Sequence, residues 1–499
     1  MEVRVTADPA AIAASVIEML RAERFAGIEE LFAPPLRAAV SAATIQTAWT
    51  AEAAKIGPVV AVGAPASEPS ANGLVRVSTT VTGERGGLTV VVSVDDDGML
   101  NGFRLAPPAG PAWTPPRYAV AGKFTEREVT VGAGPLAVPG TLTLPRGRGR
   151  RPGVVLLASG PADRDMTAGP NKPFKDLAWG LASRGAAVLR FDKVTHVHGR
   201  VAAEPGFTMA DEYLPHAAAA VRLLQREPGV DEARVFVLGH SGGGKAAPRV
   251  AAAEASVAGL VIMAGDTLPL SGSAVRVARY LAALNAGPEV SAAADSIARQ
   301  AAQVESAGLS PASPAADLLF GWPASYWLDL RDYDQVGVAA ALDKPMLILQ
   351  GRRDYQVTVD GDLARWQAGL EGRPDVTIRV YDADDHMFFA GAGKSTPADY
   401  ERPQHVDAAV VAGIADWLGA RRQGLGGFLR VMPSMIWPRP PSSSSSSSST
   451  RAARSLLTRR AAASRAAASL APASRRGCTH MKKLIQAEPV EVDQTFAPR

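Results

Sequence analysis

An apolar stretch that stops at a run of glycines limits the possible folds of this chain more strongly than any other feature. The apolar residues Val235–Leu238 are followed by Gly239-His240-Ser241-Gly242-Gly243 and then by an alanine-rich stretch. The first part predicts a buried strand and the last part a helix, so the glycines must form a very tight turn between them. A G-x-S-x-G turn of this kind requires small residues around the serine and holds its Oγ beyond the end of a parallel strand. The pattern therefore makes Ser241 a candidate nucleophile.

Short apolar runs alternate with helical stretches between residues 120 and 420. An antiparallel pair, Val129–Val131 and Leu136–Leu144, comes first. The predicted parallel strands are Val154–Ala158, Ala187–Phe191, Val235–Leu238, Leu260–Ala264, Met346–Gln350 and Thr377–Tyr381. Alternation of this kind predicts the α/β class, with a doubly wound, mostly parallel sheet covered by helices on both faces.

Three further regions have different patterns. Residues 9–106 show helical periodicity followed by alternating strands, which predicts a small α+β domain; the sequence Asp95-Asp96-Asp97-Gly98 within it is more typical of a turn than of a calcium site. Five prolines mark a linker over 107–119. Residues 266–343 interrupt the strand rhythm with helices and the sequence F-G-W-P-A-S-Y-W-L-D-L, which predicts a helical cap over the site.

The C-terminal stretch 421–499 contains eight consecutive serines and Arg/Ala/Ser repeats, a composition that predicts disorder. This stretch holds 14 of the 53 Lys and Arg residues but only 3 of the 49 Asp and Glu residues. The residues before it therefore include 39 basic and 46 acidic side chains, which gives them a net charge of −7. The positive charge thus belongs to the tail, and no nucleic-acid partner is expected for the rest of the chain.

Compartment and membrane association follow from two simple observations. Cys478 is the only cysteine, which excludes an intramolecular disulfide and favours a cytoplasmic location. The N-terminal sequence lacks the basic and apolar regions of a secretory signal, and no run approaches the roughly 20 apolar residues of a membrane span. A membrane span is therefore not expected.

A serine needs a base and a group that orients this base before it can act as a nucleophile near neutral pH. His386 follows the last predicted strand, and Asp354 follows the strand before it. The order Ser241, Asp354, His386 is the chain order of the α/β-hydrolase triad, with each residue at the carboxyl end of a strand. Alternative acids are less well placed: Asp360 and Asp362 lie further from a strand end, and Asp382, Asp384 and Asp385 are too close to His386 in sequence.

An oxyanion formed during acyl transfer requires two main-chain N–H donors. One is expected from Gly242, directly after the candidate nucleophile. The other is expected from the loop A-S-G-P-A-D-R-D after Val154–Leu157, with Ser159 as first choice and Gly160 as the alternative. His196 and His198 form an H-x-H sequence, but no nearby cysteine or well-placed carboxylate completes a metal site, so no metal or organic cofactor is expected.

Several long motifs occur in a fixed order and carry a family resemblance. They are G-P-A-D-R-D-M-T-A-G-P-N-K-P-F, L-R-F-D-K, G-H-S-G-G-G-K-A-A-P-R, Y-W-L-D-L-R-D-Y-D and L-I-L-Q-G-R-R-D-Y-Q-V. Together they resemble bacterial α/β-hydrolase-fold serine esterases in which a small α+β domain of cystatin-like or nuclear-transport-factor-like shape precedes the hydrolase domain. The resemblance implies carboxylesterase activity on short acyl esters through Ser241, Asp354 and His386. Gly242 stands where that family usually has a larger residue.

The sequence leaves other functions open. A peptidase or thioesterase can use the same groups, because the fold does not decide between an ester, an amide and a thioester. An acidic pair in the cap, for which Asp329 and Asp332 are candidates, would favour an aminopeptidase. A non-catalytic binding protein on a hydrolase scaffold is a third hypothesis. The expected partner is a small-molecule ester, and the oligomeric state is not predicted.

Overall fold

A computed structural model of the chain describes residues 8–69, 74–106, 113–284 and 287–420. The predicted linker 107–119 is thus described from residue 113 only, and the predicted tail 421–499 lies outside the described residues. Within the described part the strands form two separate sheets. No described helix is both long and apolar enough to cross a lipid bilayer.

The first sheet is antiparallel and follows four helices. The helices are α1 (Pro9–Arg21), α2 (Phe25–Glu30), α3 (Pro34–Ala39) and α4 (Ala42–Ile56). The strands are β1 (Val59–Val62), β2 (Ala66–Pro69), β3 (Val75–Gly83), β4 (Gly86–Val94) and β5 (Leu100–Ala106), in the order β1-β3-β4-β5 with β2 also paired to β3. Apolar residues of α1, α2 and α4 pack on one face of β3 and β4 and form a core of their own. The Asp95 carboxylate accepts hydrogen bonds from the N–H groups of Asp97 and Met99, which makes this sequence a turn.

The second sheet has eight strands and is mostly parallel. They are β6 (Phe124–Val131), β7 (Val138–Pro145), β8 (Arg151–Leu157), β9 (Ala187–Phe191), β10 (Val230–His240), β11 (Leu260–Met263), β12 (Met346–Gly351) and β13 (Val376–Tyr381). Their order is β13-β12-β11-β10-β8-β9-β7-β6; β7 is antiparallel to both β6 and β9, and the other pairs are parallel. The carboxyl ends of β10, β12 and β13 therefore lie along one edge of the sheet.

Helices cover both faces of the second sheet, as the alternation of strands and helices predicts. They are α5 (Pro173–Ser183), α6 (Val194–Val197), α7 (Met209–Gln225), α8 (Gly242–Ala253), α13 (Ala364–Gly369) and α14 (Ala408–Ala420). Residues of α7, α8 and α13 share a core with one face, while residues of α5 and α14 share a second core with the other. The nearly continuous apolar composition of the strands follows from this burial on both sides.

The segment between β11 and β12 contains four helices, α9 (Leu270–Leu284), α10 (Pro288–Val304), α11 (Ala324–Asp332) and α12 (Gln335–Ala341). Residues of α9, α10 and α11 form a separate small core. Polar contacts fasten α11 to the rest of the fold: Asp329 accepts hydrogen bonds of 2.7 and 2.6 Å from the Arg249 guanidinium, and the Tyr326 hydroxyl donates to Glu212 at 2.5 Å.

Candidate functional site

Ser241 lies at the turn between β10 and α8 in a backbone conformation that is rare for a residue with a side chain. Its φ of 54° and ψ of −121° place it outside the regular helical and strand regions. A Cβ on Gly239 would lie 2.1 Å from the Gly243 carbonyl oxygen, and one on Gly243 would lie 2.0 Å from that of Leu157. Both positions therefore require glycine, and the tight turn predicted from the sequence is present.

Asp354 and His386 are brought together at the ends of β12 and β13. His386 Nδ1 donates a 2.7 Å hydrogen bond to Asp354 Oδ2, and both side chains are almost completely buried. The other oxygen of Asp354 accepts the N–H groups of Gln356 at 2.7 Å and Val357 at 2.9 Å, and Gln350 Nε2 donates to Oδ2 at 3.1 Å. The carboxylate is thus held in one orientation.

The environment of His386 keeps its ring basic. Burial disfavours the charged imidazole, but the charge of Asp354 and the hydrogen bond to it outweigh this effect, so the pKa of His386 is raised above its ordinary value. His240, the neighbour of Ser241, lies with its ring centroid 4.7 Å from that of His386. The Asp354 contact occupies Nδ1, which leaves Nε2 of His386 for a second partner.

His240 holds the main chain of His386. Its Nε2 donates a 2.7 Å hydrogen bond to the His386 carbonyl oxygen, and the side chain is buried. Burial, together with the charge of His386, lowers the pKa of His240 to about 3, so this histidine is neutral near neutral pH and acts as a fixed donor.

The loop after β8 lies beside the turn that carries Ser241. A Cβ on Gly242 would lie 2.9 Å from Ser159 Oγ and 3.3 Å from the Tyr213 hydroxyl, so these two side chains occupy the space that a larger residue at 242 would need. The Tyr213 hydroxyl donates a 3.0 Å hydrogen bond to the Ala158 carbonyl oxygen. Among the described residues the N–H groups of Gly242 and Ser159 have no hydrogen-bond acceptor. Gly160, the alternative donor, has a positive φ of 62°.

Ion pairs fasten the same loop to the neighbouring strands. Arg164 donates to Asp192, just after β9, through its main-chain N–H at 2.7 Å and its Nε at 3.0 Å. Asp165 accepts from Arg190 at 2.8 Å and from Lys172 at 3.0 Å. The motifs D-R-D and R-F-D-K are therefore the two halves of one ionic network that holds the loop after β8.

Three other candidates, Asp362, His196 and His198, hydrogen bond to other partners. Asp362 is buried and accepts N–H groups of Thr267 and Thr358, both at 2.9 Å. His196 and His198 each hydrogen bond to a main-chain carbonyl oxygen at 3.1 Å.

Asp384 and Asp385, which directly precede His386, are buried. Asp385 accepts the N–H groups of Met387 at 2.9 Å and Phe389 at 3.0 Å, and burial raises its pKa to about 6. Burial, followed by the charges of Asp407 and Asp385, raises the pKa of Asp384 to about 7.

The four aromatic residues of the sequence F-G-W-P-A-S-Y-W divide into two pairs. Trp327 is buried in the core shared by α9 and α10, and Tyr326 is buried with its hydroxyl on Glu212. Phe320 and Trp322 are half-buried, with ring centroids 5.2 Å apart. Packing therefore explains the first pair, and only the second pair has surface left for a ligand.

Sequence reasoning did not assign roles to Gln350, Tyr213 or His240. Tyr213 and His240 contact residues more than 50 positions away in the chain, and Gln350 contacts Asp354 just after its own strand. No local motif marks these contacts. The sequence offers one signal for such a contact, a polar residue near the end of an apolar strand, as Gln350 is in M-L-I-L-Q-G.

Comparison with known proteins identifies a relative that is similar over most of the chain. Esterase EstD of Thermotoga maritima is 36% identical over 342 residues, which cover 68% of this chain and 78% of that protein. No family model matches the chain.

Solved structures include an esterase of Pyrococcus furiosus, which is 18% identical with a TM-score of 0.38 and covers 62% of this chain and 98% of its own. The Pyrobaculum calidifontis esterase is also 18% identical with a TM-score of 0.38, and the match covers 60% of this chain and 86% of that protein. These scores are low, so the assignment rests on EstD. At that identity and coverage, the chain belongs to the esterase family of EstD and is a hydrolase.

Proposed function

We propose that the chain is a serine carboxylesterase that cleaves short-chain acyl esters through Ser241, His386 and Asp354. One observation carries the proposal: His386, hydrogen bonded to Asp354 at 2.7 Å, contacts His240 in the strained turn that holds the half-buried Ser241. The three residues follow three strands of one sheet, whose carboxyl ends share an edge. Membership of the EstD family supports an ester as the substrate.

In the proposed reaction His386 Nε2 takes the proton of the Ser241 hydroxyl as Oγ attacks the ester carbonyl carbon. Asp354 keeps Nδ1 protonated and stabilises the imidazolium that forms. The proton then passes to the alcohol as the ester bond breaks, which leaves an acyl group on Ser241. Water, activated by His386, attacks this acyl-enzyme and releases the acid, so the hydroxyl and the neutral imidazole are restored.

The N–H groups of Gly242 and Ser159 are proposed to bind the oxyanion. Both lack a described acceptor, and the two residues are close neighbours, with Ser159 Oγ 2.9 Å from an ideal Cβ on Gly242. Pre-oriented main-chain donors stabilise the developing negative charge without having to reorganise during the reaction. The role requires only the main-chain group of Ser159, so the serine side chain is not essential to it.

Residues 9–106 and 120–420 are proposed as two domains, with the helices of residues 266–343 as a cap over the second. The helices leave β11 at the edge that carries Ser241 and return to β12, which supports this position. Phe320 and Trp322 are proposed to contact the acyl or alcohol group, because their half-buried rings remain partly accessible.

Hydrolysis of p-nitrophenyl acetate, butyrate and octanoate by wild type and Ser241→Ala tests the proposal. We expect turnover to fall by about 10³-fold or more in the variant, since the three residues act as a unit, and to decline from butyrate to octanoate in wild type. Ser183→Ala is the matched control, because Ser183 ends α5 near the opposite edge of the sheet and its Oγ accepts the Val120 N–H. Unchanged turnover in Ser241→Ala would disprove the assignment.

Labelling with a fluorophosphonate probe distinguishes an enzyme from a binding protein on the same scaffold. An activated serine should react in wild type and not in Ser241→Ala. A peptidase is not proposed, because Asp329 is bound by both terminal nitrogens of Arg249 and is not available to an amino terminus. Hydrolysis of an aminoacyl-p-nitroanilide faster than of the acetate ester would contradict this choice.

A further inference from the structure

A basic cavity lies where α9 meets the loops after β12 and β13. Its volume is about 380 Å³, within the range of pockets that bind small molecules. Arg276 of α9, Arg352 and Arg353 after β12, and Lys394 beyond His386 supply four positive charges to its lining. Ser241, Gly242, Ser159 and His386 do not line it, but Asp354 does, so the cavity adjoins the carboxylate side of the proposed triad. The Asp354 oxygens already accept hydrogen bonds from His386, Gln350 and two main-chain N–H groups, which compensate the charge of this carboxylate.

The walls of the cavity are held by contacts between the three segments. The rings of Tyr280 on α9 and Tyr355 stack with centroids 4.7 Å apart and planes 8° apart. The Tyr280 hydroxyl donates a 2.8 Å hydrogen bond to the Ser395 carbonyl oxygen. A terminal nitrogen of Arg276 donates a 2.7 Å hydrogen bond to the Gln356 carbonyl oxygen. The cavity thus has fixed walls that join the helical segment to the two loops of the proposed triad.

Several of the positive charges are only partly compensated. Arg353 is bound mainly by the carbonyl oxygens of Gly393 at 2.9 Å and Ala383 at 3.1 Å, with its nearest carboxylate, Asp399, 3.9 Å away. Arg276 Nε is buried and has no hydrogen-bond acceptor in the described part of the chain. Lys394 is exposed and has no described ion pair.

The carboxylates next to these arginines would compete only weakly with a bound anion. The Arg276 guanidinium is 3.5 Å from Asp362, whose oxygens already accept three main-chain N–H groups. Arg352 pairs with the exposed Asp382 at 2.6 Å, a contact of the kind that contributes little free energy. A buried donor without an acceptor beside several guanidinium groups favours an oxyanion with more than one acceptor atom.

We propose that this cavity binds a small molecule bearing a carboxylate or phosphate group. The anion accepts hydrogen bonds from Arg276 and Arg353 and lies close to the Lys394 ammonium, while the stacked tyrosines contact the remainder of the ligand. Because Arg276 belongs to α9 and the other two residues to the triad loops, the bound anion links these three segments. The site does not depend on Ser241 being a nucleophile.

Isothermal titration calorimetry of the full-length protein with inorganic phosphate and with benzoate tests the site, and the two ligands separate the phosphate and carboxylate sources. We expect saturable binding of at least one, weakened about tenfold in Arg276→Gln, which loses a charge-assisted hydrogen bond, and about threefold in Lys394→Gln. Affinity should be unchanged in Ser241→Ala, whether or not this residue is the nucleophile. Lys394→Gln should also hydrolyse a neutral ester at the wild-type rate.

A matched pair of surface arginines provides the control. Arg352 and Arg222 have 56% and 59% of their side chains exposed, and each pairs with one carboxylate, but Arg222 lies on α7 outside the cavity lining. Arg352→Gln should weaken binding and Arg222→Gln should not. Absence of saturable binding of both probes, or equal affinities in wild type, Arg276→Gln and Lys394→Gln, would overturn the proposal.

Discussion

At the scale of single residues, Asp354 determines both the orientation and the proton affinity of His386. Gln350 and two main-chain N–H groups fix its carboxylate, which also accepts the hydrogen bond from His386 Nδ1. A base with a raised pKa stays protonated, and therefore inactive, up to a higher pH. The pH dependence of hydrolysis is accordingly a direct readout of this contact.

Asp354→Asn should change the pH profile as well as the rate. In wild type we expect kcat/KM to rise with pH through the raised pKa of His386, above its ordinary value of 6.5. The variant removes the charge that raises this pKa, so its acidic limb should move to lower pH, with kcat reduced on the order of 10³-fold. A pH–rate profile with p-nitrophenyl acetate measures both effects, and an unmoved limb would show that Asp354 does not control the base.

Tyr213→Phe tests the second oxyanion donor. The Tyr213 hydroxyl fixes the Ala158 carbonyl, and because the peptide is planar this also fixes the direction of the Ser159 N–H. We expect kcat to fall about tenfold with KM within about twofold, since the donor acts mainly in the transition state. Tyr118→Phe is the control: its hydroxyl donates to the Val406 carbonyl at 2.8 Å, away from the site. Equal kcat in both variants and wild type would contradict the positioning role.

At the scale of elements, an ionic network fixes the loop after β8 to β9. Asp165 lies at its centre, because it pairs with both Arg190 and Lys172. Asp165→Asn should lower the free energy of unfolding by about 2 kcal/mol, since it leaves the buried Arg190 with Glu126 as its remaining charged partner. Glu18→Gln, which breaks an exposed pair on α1, should change it by less than about 0.5 kcal/mol. Urea unfolding of both variants provides the comparison, and equal changes would show that the network adds no stability.

The sequence predicts the strands of the second sheet because burial on both faces leaves continuous apolar runs. Ala187–Phe191 is predicted with the bounds that the structure has, whereas β10 begins five residues earlier than the apolar run that marks it. Helix α4 is not predicted, since its buried residues Ile45, Trp49 and Ile56 are too sparse for a clear period. The pairing of Asp354 with His386 can be predicted because both residues follow neighbouring parallel strands, whose carboxyl ends meet at one edge of the sheet. The contact of Tyr213 with Ala158 cannot be predicted in this way, because it depends on how α7 packs on the sheet.

At the scale of the whole molecule, buried carboxyl groups make stability depend on pH. Asp384 has a pKa of about 7 in the folded state against 3.8 for an ordinary aspartate, because it is buried beside Asp407 and Asp385. The contribution of Asp384 to the free energy of unfolding is complete below pH 3.8, the pKa of the unfolded state. This contribution is lost as the pH rises through the folded-state pKa of about 7. The slope for one such proton is about 1.4 kcal/mol per pH unit.

Asp384→Asn should therefore flatten the loss of stability between pH 5 and pH 8. The amide stays neutral at every pH and can donate to Asp407, so the gain in stability of the variant over wild type should be larger at pH 8 than at pH 5, where only part of the wild-type loss has occurred. Urea unfolding at both pH values measures the difference. Asp382→Asn is the control from the same loop, because that side chain is 80% exposed. Parallel pH dependences in wild type and Asp384→Asn would refute the assignment.

The position of β13 has a consequence for how the molecule loses function. This strand is one of the two edge strands of the second sheet, pairs with β12 and is only half-buried, yet it leads directly to His386. Peripheral strands open more readily than central ones, so we expect fraying at this margin to move the His386 imidazole away from its proposed partner, the Ser241 hydroxyl, while the interior remains packed. Heat inactivation should then precede global melting, and residual activity should record the integrity of one border of the protein.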